Sequence, residues 1–90
     1  MAQITASHIL VESHEHATSL KQQITEGADF GQLAQQHSRC PSKQARGNLG
    51  VFQQGVMVPE FEQAAFALEP GQVSEPVQTQ FGWHLIHRTA

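Results

Sequence analysis

The chain of 90 residues has one cysteine, five basic residues and no long apolar run. A single cysteine excludes an internal disulfide, so the core has to hold without a cross-link. No apolar stretch approaches the ~18 residues of a membrane span, and no apolar segment follows a basic start as in a signal peptide. With a net charge of −3, electrostatic binding to nucleic acid or to a membrane surface is disfavoured. We therefore expect a cytoplasmic protein that binds neither.

The apolar content that is present suffices for one small domain. Hydrophobic residues make up 39% of the chain and charged residues 14%, as in an ordinary folded globule rather than a disordered segment. A chain of this length buries one core but is too short for two. The sequence shows no repeat and no linker, so we predict a single domain over residues 1–90.

Runs of apolar and β-branched residues predict four strands. Residues 4–11 are apolar at most positions, which is typical of a strand buried on both faces. A short second strand covers residues 49–53, and the last covers residues 83–88. Residues 73–79 form an extended strand, which Pro76 places at the edge of the sheet.

Capping residues predict three helices between these strands. Ser13 and Asp29 are suitable N-caps for two consecutive helices, and Gly27 ends the first of them. A loop follows over residues 39–48. Pro59 suits the first turn of a third helix. The predicted fold class is α+β, with helices packed on a small, mostly antiparallel sheet.

Two histidines stand inside the first and last predicted strands, His8 in SHILV and His84 in FGWHLI. Their matching contexts suggest a buried polar pair where the two ends of the chain meet. The ordinary interpretation is two core imidazoles bonded to backbone carbonyls. The functional alternative is a hydrogen-bonded pair in which the hydroxyl of Thr79 lies between the rings and fixes both tautomers. The residues alone leave both open.

Cys40 in the loop also allows two interpretations. It is either a small loop side chain or a thiol that His8 or His84 polarises for nucleophilic catalysis. The sequence offers no carboxylate obviously placed to orient the histidine and no clear oxyanion turn. A full acyl-transfer site, as in a thiol hydrolase, is therefore disfavoured.

Leu49, Met57 and Phe61 are apolar residues of the kind that more often build a core. Met57 and Phe61 are four residues apart, which is ordinary helix packing. Met57, however, stands in a loop before the third helix. A flexible thioether beside an aromatic ring makes a good cradle for an apolar ring of a ligand. Phe81, in the turn before His84, would add a second wall.

The remaining histidines give little indication of a metal site. His14 and His16 face different sides of a first helical turn. His84 and His87 point to opposite faces of a strand and cannot share an ion. We expect neither a metal nor a cofactor.

Several blocks of the chain, in order and without long gaps, resemble the parvulins, a family of small peptidyl-prolyl cis/trans isomerases. The similarity is greatest to the minimal bacterial stand-alone form and runs from His8 to His87. The blocks are SHILV (7–11), GADFGQLA (27–34), HSRCPS (37–42), RGNLG (46–50), MVPEF (57–61) and TQFGWHLI (79–86).

The resemblance implies a fold and a set of site residues. The fold is a four-stranded antiparallel sheet surrounded by helices, in the order β-α-α-(short α)-β-α-β-β, with the first and last strands adjacent at the centre. The residues matching the family's catalytic positions are His8, Cys40, Thr79 and His84. Those matching its proline pocket are Leu49, Met57 and Phe61, with Phe81 adjoining.

The implied activity is rotation about Xaa-Pro bonds without a cofactor, on proline-containing peptides and unfolded or flexible protein segments, by a monomer that assists folding. Phosphoserine-directed relatives carry a lysine where this chain has Glu12, so we expect no preference for phosphorylated substrates. Should a phosphorylated peptide be preferred after all, Lys43 and Arg46 are the candidate phosphate contacts, since their loop follows Cys40 near the pocket mouth. The competing function is a proline-binding module without turnover.

Overall fold

The computed structural model describes residues 3–90, in which the chain forms four strands, three α-helices and a short 3-10 helix. The strands are β1 (Gln3–Val11), β2 (Asn48–Gln53), β3 (Val77–Thr79) and β4 (Gly82–Arg88). The helices are α1 (His14–Thr25), α2 (Phe30–His37) and α3 (Pro59–Ala67), and the 3-10 helix is Pro41–Ala45. The α+β class and the element order are confirmed. The expected short helix is the 3-10 helix.

The sheet has the strand order β2-β1-β4-β3, and neighbouring strands are antiparallel. The first and last strands are therefore adjacent at the centre, as the resemblance implies. The predicted strand 73–79 is too long, because only Val77–Thr79 pairs continuously with β4 and Val73 makes an isolated bridge to His87. Pro76 has no N–H to donate to a ladder. The edge position of this segment is as predicted.

Side chains alternate across β1 and β4, so the sheet buries two faces. On one face, called here the α1/α2 face, strand residues pack with the first two helices. Its core consists of Ile9, Val11, Ala17, Leu20, Phe30, Leu33, Ala34 and Leu85. On the other, the α3 face, the core consists of Ile4, Ala6, Phe52, Phe61, Ala65 and Ile86.

The helix starts lie where their capping residues predict. The Ser13 hydroxyl accepts a hydrogen bond from the His16 N–H at 3.0 Å, and the Asp29 carboxylate accepts one from the Gln32 N–H at 2.9 Å. Pro59 is the first residue of α3. Over residues 3–90, no helix is both long enough and apolar enough to cross a bilayer.

Candidate active site

His8 and His84 meet on the α3 face at the centre of the sheet. His8 pairs with Ile86 and His84 with Leu10, so the two imidazoles occupy diagonal positions on neighbouring strands. Their Nδ1 atoms are 3.0 Å apart, and the rings are nearly parallel with centroids 5.2 Å apart. Both side chains are buried. The predicted meeting of the two histidines is thus observed.

Thr79 takes part in this network, but the predicted position of its hydroxyl between the rings is wrong. Its Oγ1 lies 2.8 Å from His84 Nε2, at the far side of that ring from His8. The reason is the strand order, since β4 separates β3 from β1. The hydroxyl also accepts a hydrogen bond from the Phe81 N–H at 3.1 Å. The order of the network is Thr79, His84, His8.

The three side chains can share their protons in two ways. If the Thr79 hydroxyl donates to His84 Nε2, a neutral His84 donates from Nδ1 to His8, and His8 carries its proton on Nε2. If His84 Nε2–H donates to Thr79 instead, His8 donates from Nδ1 and its Nε2 is an acceptor. In either arrangement, His8 Nε2 is buried and has no protein partner among the described residues. It is the polar end of the network.

Burial keeps both histidines neutral at physiological pH. Desolvation, with a smaller contribution from the neighbouring His84, lowers the pKa of His8 to about 4. Desolvation likewise lowers the pKa of His84 to about 4. An imidazolium is therefore absent from this site at neutral pH, and each ring has one N–H donor and one acceptor nitrogen.

An apolar cavity of about 470 Å³ opens beside the histidine pair. Phe61 presents its ring to both imidazoles, with centroids 5.6 Å from His8 and 5.2 Å from His84. Of the eight side chains predicted for the site, seven line this cavity: His8, Cys40, Leu49, Met57, Phe61, Phe81 and His84. Thr79 is the exception, because it lies behind His84.

Five further residues line the cavity that the sequence did not single out: Leu10, Arg39, Pro41, Val56 and Val58. Leu10 was detectable in principle, because it lies two residues after His8 and so shares its face of β1. Val56 belongs to the loop before α3. As whole residues, Val56 and Phe81 are 60% and 59% exposed, so two large apolar residues are accessible to solvent at the cavity.

Ser38 fixes the segment that carries Cys40. Its buried hydroxyl accepts hydrogen bonds from the Leu10 N–H at 3.0 Å and from the Cys40 N–H at 3.3 Å. The Arg39 N–H also donates to the Leu10 carbonyl at 2.8 Å. The end of α2 is in this way attached to β1, and the half-buried thiol is held in the cavity wall.

No histidine nitrogen is bonded to the Cys40 thiol in the part of the chain that the structure describes. Both Nδ1 atoms bond to each other, His84 Nε2 bonds to Thr79, and His8 Nε2 has no partner. The interpretation of a thiol polarised by an imidazole therefore finds no supporting contact. Cys40 is placed as a wall residue.

Two glycines allow the close contacts that build the site. Gly47 has φ +84°, and a Cβ there would lie 2.5 Å from the His8 carbonyl oxygen; the His8 N–H donates to the Gly47 carbonyl at 2.9 Å. Gly82 has φ +138°, and a Cβ there would lie 2.6 Å from the Val11 carbonyl. Gly82 thereby permits the tight turn that sets Thr79 beside His84.

The charged residues at the cavity differ from those predicted. Arg39 lines the cavity and forms an ion pair with Glu12, with 2.6 Å between Nη1 and Oε1. Arg46 is instead paired with Asp29, and Lys43 is not among the lining residues. Neither of the two candidate cations of the sequence, Lys43 and Arg46, lines the cavity, so their suggested contact with a phosphate at its mouth finds no support.

Metal-binding groups are not gathered at the site. Within residues 3–90, no three side chains of His, Cys, Asp or Glu are arranged to hold an ion. His84 contacts Phe61 on the α3 face, whereas His87 contacts Phe30 on the other face. The two do point in opposite directions, as the strand periodicity predicts.

Residues 7–90 match the model of the rotamase family, described as the PPIC-type PPIase domain. The chain belongs to this family. The predicted parvulin relationship and fold are confirmed, and the domain is of the peptidyl-prolyl isomerase class.

Some of the known proteins similar to this PPIC-type PPIase domain are much longer than it, and others have about the same length. The foldase protein PrsA of Oceanobacillus iheyensis is 49% identical over 85 residues, which are 93% of this chain and 28% of that protein. The crystal structure of PrsA from Bacillus anthracis superposes with a TM-score of 0.96 at 46% identity, over 98% of this chain and 41% of that one. The parvuline NmPin of Nitrosopumilus maritimus has a TM-score of 0.91 at 42% identity, with 100% and 98% covered. This chain thus spans about a quarter of the length of the curated foldase.

Proposed function

We propose that this protein catalyses cis/trans isomerisation of Xaa-Pro peptide bonds in unfolded or flexible protein segments. The observation that carries the proposal is the apolar cavity of about 470 Å³ with a neutral histidine pair in its wall. The names of the relatives, foldase and parvuline, support protein substrates in general. The family membership supports the reaction.

The reaction requires a pocket that binds the proline ring and surroundings that lower the barrier to rotation about the peptide bond. It requires no cofactor. Rotation about the peptide bond has a barrier of roughly 18–20 kcal/mol and takes about tens to hundreds of seconds for Xaa-Pro when uncatalysed. The twisted amide has less charge separation than the planar one, so it is favoured when water is excluded. Met57 and Phe61 supply apolar surface that would surround the ring and exclude that water.

The histidine network would support this cavity rather than transfer protons to the substrate. Both imidazoles are neutral at physiological pH and bonded to each other, so neither is a ready acid. The network fixes the rings against Phe61 and leaves His8 Nε2 as its one unpartnered nitrogen. Rotation requires no acyl intermediate, which gives the Cys40 thiol no covalent role in the proposed mechanism.

An isomerase assay on a short Xaa-Pro peptide tests the proposal directly. We expect the parent to catalyse isomerisation and Phe61→Ala to lose most of that activity. The loss of activity in Met57→Ala should be smaller, because Met57 is half-buried whereas Phe61 is buried. Phe66→Ala is the matched control, because Phe66 lies on the same helix and packs in the α3-face core without lining the cavity. Thermal melts establish that each variant is folded.

Two outcomes of this assay would contradict the proposal. If the parent binds the proline peptide without accelerating its isomerisation, the chain is a proline-binding module. If Phe66→Ala loses as much activity as Phe61→Ala while both remain folded, the cavity is not the site of the reaction. The Met57→Ala variant keeps the test valid should Phe61→Ala fail to fold.

The proposal extends to the protein's setting. We propose a monomer that acts in the cytoplasm and does not prefer phosphorylated serine or threonine before proline. Among the described residues, Arg39 is the one Lys or Arg side chain that lines the cavity, and it forms an ion pair with Glu12. This pairing supports the absence of a preference for phosphorylated substrates. Gel filtration and cell fractionation test the oligomeric state and the location.

A further inference from the structure

We infer that the Glu12–Arg39 ion pair sets the charge preference for the residue that flanks the substrate proline. The inference rests on the proposed function and names a feature of its substrates. In this arrangement, a charged residue next to the substrate proline would contact the Arg39 guanidinium, and the Glu12 carboxylate neutralises the positive charge of that group. The parent enzyme therefore accepts uncharged neighbours and gains little from acidic ones.

Arg39 occupies a boundary between two hollows. It lines the apolar cavity and also a second, more polar hollow of about 320 Å³. Glu12, Ser13, His16 and His37 contribute to the second hollow but not to the first. A peptide whose proline fills the apolar cavity has a neighbouring residue next to this boundary. The guanidinium is thus placed to meet that residue's side chain.

Of the other four basic side chains of the described region, Lys43 lines neither hollow, and the remaining three have partners elsewhere. Lys21 binds the backbone near Ser74 and the Glu75 carboxylate, and Arg88 donates to the Leu68 and Ala90 carbonyls. Arg46 is paired with Asp29. Arg39 is therefore the residue whose charge decides how the cavity receives an anion.

The ion pair with Glu12 is of a kind that a substrate can exchange. The two side chains are 57% and 73% exposed, and exposed pairs contribute only about 0–1 kcal/mol. While it is formed, the boundary carries no net charge. Without Glu12, the guanidinium would be free to make charge-assisted hydrogen bonds to a carboxylate or phosphate. Glu12 is thus the residue that prevents this site from preferring substrates with an acidic residue next to the proline.

The test removes the carboxylate and measures discrimination between matched peptides. The peptides carry Glu, Gln, Lys or phosphoserine on either side of the proline. They are assayed at low salt and at one fixed pH of about 8, so that the electrostatic contribution is not screened and the phosphate is doubly charged. The measured quantity is the ratio of kcat/KM for a charged peptide to kcat/KM for the Gln peptide.

In Glu12→Gln we expect the ratio for the Glu peptide to rise about threefold, and that for the phosphoserine peptide to rise further, on at least one flank of the proline. Glu15→Gln is the matched control, since it removes the same charge from an exposed residue that lines neither hollow. Its ratios should stay near those of the parent. Adding Arg39→Gln to Glu12→Gln should abolish the gain.

An unchanged ratio in Glu12→Gln would overturn the inference. So would an equal rise in Glu15→Gln, which would indicate net charge alone, or a gain that survives the Arg39→Gln substitution. Calorimetric binding of the same peptides gives the same ratios as dissociation constants. A charge preference seen in binding but without turnover in any variant would refute the proposed isomerase activity while leaving the role of the ion pair standing.

Discussion

The two faces of the sheet have apolar cores of comparable make-up, yet only the α3 face combines its core with buried histidines. On the α1/α2 face, Leu20 and Leu85 are almost completely shielded by other apolar side chains. On the α3 face, His8 and His84 interrupt the apolar surface, and the cavity opens next to them. Both faces arise from alternate residues of the same two strands.

This difference separates the tasks of stability and chemistry within one small chain. A face that is filled by interdigitating apolar side chains is stabilising but leaves no room for a ligand. The α3 face has two polar imidazoles in place of apolar side chains. They are hydrogen-bonded in the network of Thr79, His84 and His8, in which His8 Nε2 has no partner among the described residues. Changes to the two faces should therefore differ in kind.

The largest expected effect is a pH dependence that comes from the α3 face. The folded-state pKa of His8 and His84 lies near 4, below the ordinary value of 6.5, so the unfolded chain takes up protons first as the pH falls. The stabilisation is fully present above pH 6.5 and is lost on acidification towards pH 4, on the order of 3 kcal/mol per histidine. Urea unfolding between about pH 7 and pH 4 measures it.

Substituting the exposed His14 by glutamine is the control for that titration and should leave the pH dependence in place. Nuclear magnetic resonance provides an independent reading. The ring signals of His8 and His84 should stay constant on acidification from neutral pH to about pH 5.5. A titration of either ring near pH 6.5 would show that the pair is not held neutral by burial.

The next effect belongs to the α1/α2 face. Leu85→Ala removes a fully shielded side chain, and we expect a loss of about 2–5 kcal/mol in the free energy of unfolding. Because Leu85 points away from the cavity, kcat/KM per folded molecule should stay close to that of the parent. Denaturant unfolding and the isomerase assay at a temperature where the variant is folded give the two numbers. A strong loss of kcat/KM in folded Leu85→Ala would mean that the two faces are not separable.

A smaller effect distinguishes the two histidines. His84→Ala leaves His8 Nδ1 without a partner and takes from the Thr79 hydroxyl one of its two partners, the other being the Phe81 N–H, whereas His8→Ala leaves only His84 Nδ1 and removes the unpartnered Nε2. Each orphaned buried group costs about 1–3 kcal/mol. We expect both variants to lose activity and His84→Ala to be the less stable by about that amount. Equal melting temperatures of the parent and both variants would favour direct acid–base roles instead.

The smallest effect is expected at Cys40. The thiol lines the cavity without a hydrogen bond to either histidine, so Cys40→Ser should keep most of the activity and nearly all of the stability. Mass spectrometry during turnover checks the same point. A peptide found covalently attached to Cys40 would require a nucleophilic mechanism.

The pairing of the histidines was predictable because it depends on few steps. Both stand in strands that begin and end the fold, and strand alternation then decides which face they share. The position of Thr79 was not, since it requires knowing that β4 lies between β3 and β1. The sequence shows that a hydroxyl is near His84, but not on which side.

The role of Arg39 was missed for a related reason. Its partner Glu12 is distant in sequence, and the two meet only because the end of α2 is bonded to the end of β1 through the Leu10 carbonyl. Local patterns do not specify such a junction. They drew attention to Lys43 and Arg46, which follow Cys40 in the chain but do not line the cavity.

The short turn between β3 and β4 also limits how the length of this chain can vary. Thr79 and His84 contact each other across a turn that Gly82 closes against the Val11 carbonyl. One residue inserted or deleted between Gly82 and His84 would rotate the imidazole to the α1/α2 face and bring Leu85 or Trp83 to the site. A substitution in this segment alters one side chain, and its effect depends on the residue introduced. An insertion or deletion of one residue would instead move every side chain of β4 to the opposite face of the sheet.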